Sequence, residues 1–133
     1  MYLALLKENE KEQFLSLAVA LACTDGDFGK EEHFMITQYC DEMGVEDHIP
    51  TIADKNLIID EVIKNSEIQN KKIFIFELIG LAMADNSYEE SERTFLNDTA
   101  VKFGLNENYV KNCENIISEY LQLQNKINNL VIG

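Results

Sequence analysis

The stretch ALACTDGDFGKEEHFMI (residues 20–36) decides the fold, because it returns sixty residues later as GLAMADNSYEESERTFL (residues 80–96). Each reads as the end of an apolar helix, a tight acidic loop and the start of a second helix. Moving outward, an offset of 60 pairs Lys11 with Lys71, Phe14 with Phe74, Leu21 with Leu81, Ala22 with Ala82, Asp25 with Asp85, Glu32 with Glu92 and Gly44 with Gly104. These seven identities over 35 gapless positions are joined by pairs of like character: Val19 and Ile79, Phe28 and Tyr88, Met35 and Phe95, Ile36 and Leu96, Met43 and Phe103, Val45 and Leu105. Apolar positions, acidic positions and a closing glycine are kept together. The chain therefore reads as two copies of one helix-loop-helix unit, about 11–45 and 71–105.

Within the first copy, Phe14, Leu17, Ala18, Leu21 and Ala22 recur at helical spacing and predict one apolar stripe on a helix ending near Cys23. The polar loop Thr24 to Phe28 follows, and Asp27 is placed to cap the next helix. There Met35, Ile36, Tyr39, Cys40 and Met43 keep the period until Gly44 stops it. In the second copy Ser87 with Glu90 has capping-box spacing. Between the copies, 49–65 predicts a shorter helix starting near Pro50, with a further capping box at Ser66 and Gln69. After Leu105, Asn106 is placed to cap a last helix carrying Val110, Cys113, Ile117, Tyr120 and Leu121, extending toward Leu130. No alternating run bounded by turn residues occurs, so strands are not expected. The expectation is an all-α, six- to seven-helix antiparallel bundle forming a single domain, 1–133, with the two units packed about an approximate twofold axis.

Composition narrows the function. Lys and Arg number 11 against 24 Asp and Glu, a net charge of −13, in a chain of 133 residues that is 46% hydrophobic. So acidic a surface repels phosphate backbones and anionic lipid, which argues against nucleic-acid and membrane partners, and it favours cations and basic proteins. Cys23, Cys40 and Cys113 are widely spaced, form no Cys-x-x-Cys pair and read as buried thiols in a reducing compartment. Tyr2 to Leu6 is too short for a signal-peptide core, and the nearly apolar Ile73 to Ala84 is interrupted by Glu77 and too short to span a bilayer. A cytoplasmic location is the expectation.

Chemical interest falls on Asp25, Glu32, Asp85 and Glu92. Glu32 precedes Met35, Ile36 and Tyr39 by three, four and seven residues, and Glu92 precedes Phe95, Leu96 and Thr99 likewise, so both carboxylates continue the buried stripe. Losing hydration costs an unpaired carboxylate several kcal/mol, so each needs donors, a cation or a proton. With Asp25 and Asp85 on the loops just before them, the four could hold a hard divalent cation, Ca²⁺ or Mg²⁺, through oxygen ligands. The structural alternative is that the aspartates accept hydrogen bonds from following amides and the glutamates reach back to N–H groups at the helix start. The loops are not EF-hands: counted from Asp25, position six is Lys30 and position twelve Ile36, and from Asp85 these are Glu90 and Leu96, where glycine and glutamate are required.

On Ala18 to Glu32 and Gly80 to Glu92 the chain resembles the tellurite-resistance TerB-like family, which shows a helical Ala-x-x-x-Ala-Asp-Gly stretch with glutamate seven residues after the aspartate. The resemblance runs from about Glu10 to Tyr120. It implies an all-helical bundle, an association with chemical-stress responses and a metal-binding role for the acidic loop residues. Thr24 stands where the family has alanine and Asn86 where it has glycine.

Other chemistry lacks a starting point. His33 and His48 are the two histidines, without Glu-x-x-His or His-x-x-x-His spacing, and His33 is expected on the surface. No nucleophile elbow, phosphate loop or dinucleotide fingerprint occurs, so an enzyme is not expected. Glu77 is expected on a polar sliver of its helix or beside a lysine. The apolar tail Leu130, Val131 and Ile132 is expected to fray, or to dock on the bundle or on a second copy. Two readings stay open: a binding module for a divalent cation, and an interaction scaffold whose acidic surface or last helix meets a protein partner or a homodimer mate.

Overall fold

The computed structural model describes residues 1–24, 29–50, 54–84 and 88–133, with Glu31 described by its backbone alone. Among the described residues a short 3-10 turn at Leu3–Leu5 precedes six α-helices: α1 Glu8–Ala22, α2 Lys30–Met43, α3 Lys55–Asn65, α4 Ile68–Met83, α5 Glu90–Lys102 and α6 Tyr109–Val131. None of these residues is in a strand. The expected all-α bundle is the architecture found.

Its centre is the pair α1 and α4. Helix α1 packs against α2, α3, α4 and α5, while α4 packs against α1, α5, α6 and the N-terminal turn. Surrounded in this way, α1 buries Phe14, Leu15, Ser16, Leu17, Ala18, Val19 and Leu21, which lie all round the helix rather than on the single predicted stripe. Helix α4 buries Ile73, Phe74, Ile75, Leu78, Ile79 and Ala82 in the same manner. Aromatic rings run across the middle. Tyr39 of α2 stands edge-on to Phe14 at 5.2 Å, Phe14 lies 6.2 Å from Phe74, and Phe74 lies 6.2 Å from Phe103 beyond α5. Burial of each phenylalanine contributes about 2 to 3 kcal/mol.

A polar contact lies beside this aromatic row. Glu10, 1% exposed, accepts the Lys7 amide at 2.8 Å, the Asn70 side-chain amide at 2.7 Å and the Ser66 hydroxyl at 2.5 Å. Three donors satisfy a carboxylate that would otherwise be costly to bury.

Helices α2 and α5 end alike. Gly44 has φ 70° and Gly104 φ 76°, the left-handed conformation that L-residues resist. Beyond them the Val45 amide reaches back to Cys40 O at 3.0 Å and the Leu105 amide to Ala100 O at 3.1 Å, so both glycines close their helices with a six-to-one bond.

Several helix starts differ from expectation. Helix α3 begins at Lys55, not near Pro50, because the Asp54 carboxylate accepts the Asn56 amide at 2.9 Å, a cap that proline cannot supply. Ser66 does not cap α4. It follows α3 and gives its hydroxyl to Glu10, while Glu67 takes the capping position of α4. Asn106 accepts the Asn108 amide at 2.9 Å in a turn ahead of α6 instead of capping the helix directly. Asp27 and Ser87 lie outside the described residues; the N-cap residues found are Gly29 and Glu89. Cys40 and Cys113 are buried thiols, whereas Cys23 is half-buried. None of the described helices is long and apolar enough to cross a membrane.

Candidate functional site

Asp25 and Asp85 lie outside the described residues, so the loop half of the expected acidic site is not placed. The helix half is. Glu32 and Glu92 each occupy the third position of their helix and turn back toward the loop: Glu32 Oε2 accepts the Gly29 amide at 3.1 Å, and Glu92 Oε1 accepts the Glu89 amide at 3.0 Å. A carboxylate there satisfies a donor that the first turn leaves without an intrahelical partner, and it meets the positive end of the helix dipole. Glu10 does the same for α1 through Lys7. Expectation placed both loop glutamates inward; Glu92 is buried, but Glu32 is half-buried. The difference follows from packing, since α5 has α1, α3, α4 and α6 around it, whereas α2 rests on α1 and the N-terminal turn. Among the described residues no three His, Cys, Asp or Glu side chains converge as metal ligands would.

Glu77, 7% exposed, does not pair with a lysine. Its Oε1 accepts the Met1 ammonium and the Tyr2 amide, both at 2.8 Å, while Glu42 Oε2 accepts the same ammonium at 3.0 Å and the Leu3 amide at 3.2 Å. Burial works against the ammonium charge, but the bonds to Glu77 and Glu42 outweigh it and raise its pKa above the usual value. The two carboxylates thereby hold the N-terminal turn against α2 and α4.

Where α6 meets α5, Glu114 of α6 is buried and accepts the Tyr88 hydroxyl at 2.6 Å and Arg93 Nε at 3.0 Å, with the guanidinium stacked 5.1 Å from the Tyr88 ring. Burial, followed by the bond to Glu114, pushes the Tyr88 phenol upward, so it stays protonated and donating. Sequence reading missed Glu10 and Glu114. Lys7-x-x-Glu10 ahead of an apolar run was a usable signal for the first; nothing local marks the second. His33 is exposed, as expected. His48 bonds Glu12 Oε2 at 2.8 Å and the Glu46 carbonyl at 2.7 Å.

An apolar feature lies elsewhere. A groove of about 640 Å³ runs between the N-terminal turn, α4 and α6, lined by Leu5, Ile73, Phe76, Tyr109, Ile116 and Tyr120 among others. From Gln122 to Val131 every residue of α6 is exposed, so the helix projects beyond the bundle. Its Leu123, Ile127 and Leu130 are 56%, 50% and 86% exposed, continuing the line of Ile116 and Tyr120 out of the groove. Compared with protein-family models, with curated proteins and with solved structures, the chain matches none.

Proposed function

We propose that the chain is a non-enzymatic, TerB-like interaction module: a duplicated pair of helix-loop-helix units whose loop glutamates serve the fold and whose last helix supplies the docking face. Duplication is supported by two contacts between positions sixty apart, Phe14 with Phe74 and Glu10 with Asn70, since equivalent residues meet where a twofold axis passes. The observation that carries the docking reading is α6, whose apolar residues leave the bundle in a helical line and stay in water. An isolated helical segment of that length is marginal in water, so a partner surface is what its apolar line fits. Placing a photoactivatable residue at Leu123, with Gln38 on α2 as control, tests this in cells. Protein adducts at Leu123 and none at Gln38 are expected; no adducts, or equal adducts, reject α6 as the docking element.

The second reading is a divalent-cation module, favoured by the recurrence of the same back-bonded glutamate beside both acidic loops. Under the interaction reading, Ca²⁺, Mg²⁺ and Mn²⁺ leave the melting temperature unchanged and Glu32→Gln and Glu92→Gln alter stability alone. A metal-induced rise in melting temperature that both variants abolish transfers the role of Asp25, Glu32, Asp85 and Glu92 to the cation.

A further inference from the structure

We propose that the occupant of the α6 face is a second copy of this chain, the two α6 helices pairing antiparallel about a twofold axis. The inference rests on the reading of α6 as the docking element and names its partner.

The spacing comes first. The exposed Ile116, Tyr120, Leu123, Ile127 and Leu130 are separated by four, three, four and three residues, the alternation of a coiled-coil seam. An antiparallel pair opposes Tyr120 with the partner's Leu123 and Ile116 with the partner's Ile127, all four at exposed positions, while Cys113 stays in the core of its own bundle. One register satisfies both layers and their symmetry mates, as an isologous interface requires. Its axis falls between Leu121 and Gln122, the point where α6 passes from half-buried to exposed and leaves the bundle. Each projecting half therefore lies along the bundle-bound half of the other helix. Ile127 and Leu130 of one copy come to the groove wall formed by Tyr109 and Ile116 of its mate.

Charge selects the same arrangement. The antiparallel register places Glu119 beside the partner's Lys126 on both sides of the axis, whereas a parallel pair would set Glu119 beside Gln124 and Lys126 beside Val131. Helix α6 carries Lys111 and Lys126 against Glu114 and Glu119, 2 − 2 = 0, in a chain of net charge −13. Two acidic molecules can meet along it without opposing like charges.

Sedimentation velocity on the full chain tests this. A dimer is expected at concentrations up to about 100 µM, above the dissociation constants of interfaces of ordinary size. Leu123→Glu and Ile127→Glu, both at exposed positions, should give monomers with unchanged circular dichroism and melting temperature after dilution to monomer. Glu119→Lys and Lys126→Glu should each weaken association about tenfold, and mixing the two variants should restore it as a heterodimer. A monomeric wild type, a dimer indifferent to Leu123→Glu and Ile127→Glu, or no recovery on mixing overturns the proposal. A monomer that still yields photo-adducts at Leu123 removes the second copy but leaves the docking reading; a monomer without adducts removes both.

Discussion

The helix pairs α1–α2 and α4–α5 enter and leave their second helices by the same local devices but are held from outside by different ones. Both second helices start with a glutamate bonded to the amide three residues before it, and both end at a left-handed glycine. Sixty residues apart, however, Leu17 fills the core while Glu77 grips the N-terminal turn, and His33 faces water while Arg93 reaches Glu114. The shared features are those that backbone geometry demands at a helix terminus. The divergent ones answer to whatever packs alongside, the N-terminal turn against α2 and α4, and α6 against α4 and α5.

The comparison is broken most severely at its centre. Phe14→Ala and Phe74→Ala should each cost about 4 kcal/mol in urea denaturation, and the double variant less than the sum because the rings touch. Equal single losses would mark the two central helices as equivalent; an imbalance beyond about 2 kcal/mol, half the expected loss, would separate them.

Next in size is the contact between equivalent positions. Glu10→Ala leaves Ser66, Asn70 and the Lys7 amide without their acceptor and should cost about 3 kcal/mol, whereas Asn70→Ala removes one donor from a carboxylate that keeps two and should cost about 1 kcal/mol. The loop glutamates sharpen the contrast further. Glu92→Ala should cost about 2 kcal/mol and Glu32→Ala about 1 kcal/mol, by the same denaturation measurement, because Glu92 is the more deeply buried of two otherwise matching caps.

The smallest effect belongs to His48, which has no counterpart in the second pair. The Glu46 carbonyl and the Glu12 carboxylate raise its pKa above 6.5. A pKa raised by folding contributes stability that is complete below the unfolded value and is lost as pH rises through the folded one. The melting-temperature difference between wild type and His48→Gln should therefore be largest near about pH 5.5 and vanish toward about pH 8. A gap that widens with pH would contradict the Glu12 pairing.

Much of this fold was legible in residue spacing. The apolar period of Met35, Ile36, Tyr39, Cys40 and Met43 marked α2, and the glycines at 44 and 104 marked its end and that of α5, since these depend on neighbours within one or two turns. What escaped depends on distant partners. Nothing near Ser66 reveals that its hydroxyl is needed by Glu10, 56 positions earlier, and nothing near Arg93 points to Glu114. Helix α1 read as one-striped, yet Leu15, Ser16 and Val19 are buried too, because α2, α3, α4 and α5 all pack on the helix and no local window contains them. Of the candidate site, the inward pull on Glu92 and its reach back to an N–H group at the helix start were both readable; that the amide is that of Glu89 needed the backbone.

The contact of Phe14 with Phe74 has a consequence during synthesis. A growing chain that has reached only Asn65 holds α1 against α2 and α3 but without α4, and the ring of Phe14 meets Tyr39 but lacks Phe74 until α4 has left the ribosome. The N-terminal half thus cannot complete its core sequentially, and chaperone capture of translation intermediates should end once α4 emerges.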